Sequence, residues 1–134
     1  MKTFKLLPHG WQKAGWTIAG LGAGMMLWGF FMKLVVGDRA GIYVDTVFGN
    51  YMHHNGVSLM LATFMYTIYI YCDFAGYSLI AIGAARTMGI ELMENFRRPY
   101  FATSVADFWR KWHISLSSWF RDYVYFPMGG SRVK

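Results

Sequence analysis

A chain of 134 residues is long enough for one ordinary soluble domain, yet 55% of its residues are hydrophobic and only 15% are charged, against a usual share of about a quarter. A globule of this size cannot hide eleven Phe, nine Tyr and six Trp from water, which excludes a soluble domain and points to a bilayer as solvent. The net charge of +6 flanks the apolar runs, which fits a membrane surface and not nucleic acid, and a single cysteine, Cys72, excludes an internal disulfide or a cysteine zinc site.

The whole of 1–134 reads as one membrane domain, all-α and polytopic. Residues 1–13 are polar and basic, with Lys2, Lys5 and Lys13. Ala14 to Met32 carries no charge and the apolar run continues past Lys33 to Val36, so a transmembrane helix is predicted over 14–36, since about twenty apolar residues cross a bilayer. The run is too long for the core of a secretory signal, and no A-x-A site follows. Lys33 is expected to reach the interface on its long stem. Gly20 and Gly24 form a small-xxx-small pair suited to helix packing; the same stretch lacks the strand-to-helix setting of a dinucleotide loop.

Residues 37–55, with Asp38, Arg39, Asp45 and Asn50, read as a loop. His53-His54 with Asp45 suggests no metal site, because adjacent histidines rarely share an ion and no third ligand is suitably spaced. A second transmembrane segment is predicted over 56–85, broken near 73–76 because Gly76 weakens a helix interior. Asp73 there either pairs with Arg86 or lines a channel, or else caps the segment after the break. Cys72 reads as a small buried hydrophobe. Two crossings place the basic N-terminus and the basic residues from Arg86 onward on one side, the cytoplasmic one.

Residues 91–103 form a polar connector in which Pro99 disfavours helix at Arg98. Ser104-Val105-Ala106-Asp107 reads as a capping box, opening an amphipathic helix over 104–126 that Pro127 and Gly129-Gly130 end. On a wheel at about 100° per residue, Val105, Phe108, Trp109, Trp112, Leu116, Trp119, Phe120, Tyr123 and Val124 form one apolar arc, with Asp107, Arg110, Lys111, Arg121 and Asp122 opposite. His113 falls in the apolar arc beside Phe120 and Val124. Two readings stand from the pattern: a packing histidine with one hydrogen bond, or a base in a buried channel. Arg110 and Arg121 either bind an anionic substrate or form a solvated or headgroup face.

The run Asp107-Phe108-Trp109-Arg110-Lys111-Trp112-His113-Ile114-Ser115-Leu116-Ser117, followed by Trp119-Phe120-Arg121-Asp122-Tyr123, resembles the signature of the membrane-bound O-acyltransferase family. Val124-Tyr125-Phe126-Pro127-Met128-Gly129-Gly130 is similar to the bacterial branch that O-acetylates alginate and other exopolysaccharides, and Asp73-Phe74-Ala75-Gly76-Tyr77-Ser78 and Asn95-Phe96-Arg97-Arg98-Pro99-Tyr100 also match. Leu79 stands where many alginate-type members carry a second acid; the branch that transfers D-alanine to teichoic acids often has Leu there. The resemblance covers about residues 20–134 and is most specific from residue 66.

This resemblance implies acyl transfer to a hydroxyl. His113 matches one of the family's two active-site histidines, with Arg110, Arg121, Asp122, Trp109 and Asp73 in supporting roles. Burial against Trp109 and Phe120 is expected to keep it neutral. The second histidine is expected downstream of Lys134, so the chain reads as the middle of a longer acyltransferase and as inactive alone. No bound cofactor or metal is implied; the donor is an acyl thioester, acetyl-CoA or an acyl-carrier protein. The implied partners are membrane lipid, the donor, and an envelope polysaccharide such as alginate or a periplasmic or extracellular acyltransferase that passes the group on, with no nucleic acid. The implied location is the cell membrane, multi-pass. The alternatives are D-alanyl transfer to teichoic acid and a non-catalytic short membrane protein acting as an interaction module.

Overall fold

A computed structural model of the protein describes residues 4–6 and 15–130. The chain divides into two compact units, Met1–Leu92 and Met93–Lys134.

The first unit is a hairpin of two long helical rods. One rod joins α1 (Gly15–Phe30), a π-helical turn (Phe31–Gly37) and α2 (Asp38–Gly49). It runs through most of the segment that the sequence suggested as a loop over 37–55. The reason lies in the spacing. Gly41, Val44 and Val47 recur every third residue and are buried, while Asp38, Arg39 and Asp45 are exposed. These charges mark the outer face of a helix, not a loop. The rod ends at Asn50, and a single 3-10 turn, Tyr51–His53, follows. Among the described residues, no three or more His, Cys, Asp or Glu gather as metal ligands.

The other rod is α3 (Gly56–Thr87), an unbroken helix of 32 residues. Asn55 caps it by accepting the Ser58 N–H at 2.9 Å, and Gly89, at φ +75°, follows its end. The break expected near 73–76 is absent. Gly76 is instead a contact point. A Cβ there would lie 2.7 Å from the Gly29 carbonyl oxygen, and one at Gly29 would lie 2.7 Å from the Gly76 carbonyl oxygen. Gly22 and Gly83 repeat the arrangement two turns away, at 2.7 and 2.5 Å. Four glycines thus let two antiparallel backbones touch, and this packing offsets the poor helix propensity of glycine, about 1 kcal/mol per residue. Gly20 and Gly24, the pair the sequence favoured, have nothing within 4 Å of a Cβ. They lie off the face that carries Gly22. Cys72 is buried, as expected.

Both rods are long and apolar enough to cross a membrane: Ala19–Gly49 over 31 residues and Gly56–Thr87 over 32. At 1.5 Å per residue they reach about 46–48 Å, more than the roughly 30 Å of a hydrocarbon core. Leu27, Trp28, Leu34, Val57 and Met60 point outward, as expected of a helix apolar on all sides that meets lipid.

An ion pair joins the rods near their midpoints. The Lys33 ammonium, on the π-helical turn, donates to the Asp73 carboxylate of α3. The sequence offered Arg86 as one partner of Asp73, and that expectation fails. Arg86 lies about 20 Å further along the same straight helix and meets the Met25 sulfur at 3.3 Å. Asp73 cannot cap a segment either, since the helix continues on both sides of it. Asp73→Ala would leave an ammonium unpartnered in hydrocarbon. We expect it to lower the stability of the solubilised full-length protein by about 2–3 kcal/mol, and the double exchange Lys33→Asp/Asp73→Lys to recover at least half. Thermal melting checks this; an unchanged melting temperature for Asp73→Ala would show that the pair adds no stability.

At the open end of the hairpin, β1 (Phe4–Leu6) pairs antiparallel with β2 (Ile90–Leu92), Lys5 opposite Glu91. Strands of three residues are too short to show an alternating pattern, so the sequence did not reveal them. The pairing sets Lys5 and Arg86 at the same end. Lys2, Lys13, residue 14 where the first span was placed to begin, Arg132 and Lys134 lie outside the described residues.

The second unit holds a 3-10 turn (Pro99–Phe101), α4 (Val105–Lys111), α5 (Ile114–Phe120) and a π-helical turn (Arg121–Tyr125). The Ser104 cap forms, with the return bond one residue earlier than in a capping box. Ser104 Oγ accepts the Asp107 N–H at 3.1 Å, and the Asp107 carboxylate reaches back to the Thr103 N–H at 3.2 Å. The Lys111 ammonium, 2.6 Å from that carboxylate, and then the Thr103 N–H hold Asp107 below the ordinary carboxylate range. Gly129 and Gly130, at φ +102° and +54°, follow the last helical turn, at the place the sequence indicated. Most of the described residues are helical, as an all-α membrane protein should be.

Candidate functional site

The single helix expected over 104–126 does not exist. α4 stops where the Trp112 N–H donates to the Phe108 carbonyl at 2.9 Å. Trp112 is then extended (φ −102°, ψ 127°), and His113 is left-handed (φ 45°, ψ 57°). α5 starts afresh, with the Ser117 N–H on the His113 carbonyl at 3.1 Å. Only Arg98 shares this conformation among the described non-glycine residues. A left-handed L-residue costs about 1–2 kcal/mol, and such positions persist where the surroundings fix them.

A break inside a helix exposes carbonyls on one side and N–H groups on the other. The segment Asn95–Arg97 meets both. The Arg97 N–H donates to the Lys111 carbonyl at 3.0 Å, and the Asn95 carbonyl accepts the Ile114 N–H at 3.0 Å. The Asn95 side-chain oxygen then accepts the Ser115 N–H at 3.2 Å. Across the break, Ser117 Oγ donates to the Trp109 carbonyl at 3.2 Å. Between the two backbone contacts, Phe96 sets its ring edge-on to Trp112, centroids 4.9 Å apart. Phe108 stacks on Trp112 at 5.5 Å, and Tyr100 closes the cluster at 6.2 Å from Trp112. Aromatic packing and four hydrogen bonds thus hold His113 in place.

The break removes the common wheel for α4 and α5, so the predicted apolar arc does not describe the surroundings of His113. His113 is half-buried, and burial lowers its pKa below the usual 6.5. The rings expected to bury it are open: Trp109 is 54% exposed and Phe120 51%. His113 makes no capping bond with its side chain, so its imidazole does not serve the helix end.

The supporting residues do not gather round it as one cluster. Trp109 and Arg110 sit exposed on α4. Arg121 and Asp122 sit on the π-helical turn, where the Arg121 guanidinium donates to the Asp122 carboxylate at 3.1 Å. Arg121 also borders an open groove of about 380 Å³ with Phe120, Val124 and Met128. Asp73 belongs to the first unit, paired with Lys33. The residue that sequence reading missed is Asn95. It was visible as part of the Asn95–Tyr100 motif, but nothing local said what its side chain would hold.

Comparison with known proteins shows the family of the chain. A probable alginate O-acetylase of Pseudomonas syringae pv. tomato is 43% identical over 111 residues, covering 83% of this chain and 21% of the relative. A peptidoglycan O-acetyltransferase of Helicobacter pylori is 38% identical over 106 residues, 79% of this chain and 20% of the relative. A teichoic acid D-alanyltransferase of Bacillus subtilis is 38% identical over 97 residues, 72% of this chain and 25% of the relative. The chain therefore spans only a fifth to a quarter of the length of these curated relatives. The sequence model of the membrane-bound O-acyltransferases matches residues 15–134, both helical rods and the His113 unit included, and the chain belongs to that family.

Proposed function

We propose that the whole protein transfers an acyl group, acetyl first, from a thioester donor to hydroxyls of a cell-envelope polysaccharide such as alginate. The observation that carries the reading is the placement of His113: a left-handed residue between two capped helices, with burial holding its ring neutral. A neutral imidazole takes the proton of the acceptor hydroxyl as its oxygen attacks the thioester carbonyl. The new C–O bond forms, the C–S bond breaks, and the proton passes to the departing thiolate. Arg110 and Arg121 are exposed cations suited to the anionic part of a donor such as acetyl-CoA or an acyl-carrier protein, and Asp122 orients Arg121. Trp109 gives an apolar wall.

The relatives support acyl transfer to envelope polymers by their names: two are O-acetyl and one D-alanyl transferases. Because this stretch covers so little of them, activity is proposed for the full-length protein, and the stretch alone is expected to transfer nothing. We further propose a multi-pass protein of the cell membrane, with the end carrying Lys5 and Arg86 in the cytoplasm. The acceptor either receives the group directly or through an extracytoplasmic acyltransferase partner.

The test is full-length protein in liposomes with labelled acetyl thioester and polysaccharide, read as alkali-labile label on the polymer. Label from D-alanyl donor alone would move the protein to the teichoic acid branch, and label from neither would defeat the reading. The pH dependence is a second expectation. The base works as neutral imidazole, and burial lowers the pKa, so the acid limb of activity should be centred below about 6.5. A pH–rate profile with its acid limb centred above 7 would contradict this.

A further inference from the structure

Asn95 spends both of its oxygens on successive N–H groups of α5: its carbonyl on Ile114 and its side-chain oxygen on Ser115. These are the two residues directly after His113. Two residues on in its own segment, the Arg97 N–H holds the carbonyl of Lys111, two residues before His113. Phe96, between them, packs edge-on against Trp112, the residue directly before His113. The three residues of one short loop thus grip the chain on each side of the histidine, which itself lies outside both helices. If the side-chain contact of Asn95 is removed, the Ser115 N–H at the start of α5 loses its partner. The simplest repair is to continue α4 through 112–113 in right-handed conformation, which would swing the imidazole elsewhere.

We propose that Asn95 is a positioning residue for His113: it holds α5 apart from α4 so that the histidine stays left-handed with its ring turned to the reacting hydroxyl. This rests on His113 acting as the base. Asn95 itself need not touch substrate.

The charged groups on the elements packed here are Glu94, Arg97 and Arg98 on the loop and Asp107, Arg110 and Lys111 on α4; α5 carries none. Glu94 pairs with Arg97 and Asp107 with Lys111. A new carboxylate at position 95 would add a negative charge beside the break, on the same loop as Arg97 and Arg98.

The experiment compares Asn95→Ala, Asn95→Asp and His113→Ala in the full-length protein, reading kcat, KM and the pH–rate profile. Asn95→Ala is expected to lower kcat by about tenfold to a hundredfold, the range for a small misplacement of a reacting group, with KM within about twofold. Asn95→Asp keeps an acceptor for the Ser115 N–H and should retain most of kcat. Its acid limb should move to higher pH, because a nearby carboxylate favours imidazolium. That shift acts through space and reports that position 95 lies beside the imidazole, while the loss of kcat at unchanged KM in Asn95→Ala reports the positioning. Wild-type kcat in Asn95→Ala beside an inactive His113→Ala would overturn the positioning role and leave the base standing. Full activity in His113→Ala would overturn the base, and the positioning role with it. If Asn95→Ala fails to accumulate, the Asn95→Asp profile decides: an unmoved acid limb overturns the proposal.

Discussion

His113→Ala in the full-length protein is expected to lose acyl transfer by about 100-fold or more, the usual contribution of a positioned general base, while the protein still inserts and melts near the wild-type temperature. The separation follows from the local structure. Alanine has the same difficulty with φ 45° as histidine, and the imidazole makes no capping bond. The helix ends keep their partners from Asn95 and Arg97. A sharper version replaces His113 with glycine. Glycine adopts the left-handed region freely, so His113→Gly should gain about 1 kcal/mol of stability and still be inactive. Stability and activity would then move in opposite directions at one residue. Labelled acyl transfer and thermal melting of the same preparation measure both. Normal transfer by either variant removes His113 from the chemistry.

Gly83→Leu is expected to spring the helical hairpin. The first carbon of any side chain at this position would sit 2.5 Å from the Gly22 carbonyl oxygen and 3.0 Å from the Met26 nitrogen. Both atoms are backbone in a long helix and cannot rotate away, so the rods must separate. Overpacking usually costs about 1–3 kcal/mol; here the cost should lie at the top of that range, because separation also pulls Gly29 from Gly76 and strains the Lys33–Asp73 pair. Gly76→Leu should behave alike. Gly20→Leu and Gly24→Leu are the controls, since nothing lies within 4 Å of either position, and leucine suits a helix better than glycine. Melting of the four solubilised variants distinguishes the two faces. If Gly83→Leu and Gly20→Leu melt together, the rods do not cross at these glycines.

What sequence reading reached and missed divides along a physical line. The two spans were legible because length and apolarity are local quantities, and so were the Ser104–Asp107 cap and the glycine stop at 129–130. Gly76 was misread because its low helix propensity is local, while its reason for being there is a backbone in another helix. Asp38, Arg39 and Asp45 were misread because charge was taken for loop, although the three-residue spacing of Gly41, Val44 and Val47 was present in the same segment. The break at His113 was invisible: its stabilising partner, Asn95, lies well outside one helical turn, and a wheel assumes continuity. Lys33 and Asp73 are separated by a whole crossing. Family resemblance picked out His113 without showing how it is held.

The strand pair at the open end has a consequence in time. β1 is made before both rods and β2 only after them, since Phe4 pairs with Leu92. At about 5–20 residues per second, the first strand waits roughly 4–17 s for its partner. During that interval the earlier strand has an unsatisfied edge beside the rod that follows it. Closure then occurs only if the second rod has returned to the starting side. The small sheet therefore works as a late latch on topology: a chain that fails its second crossing cannot form it.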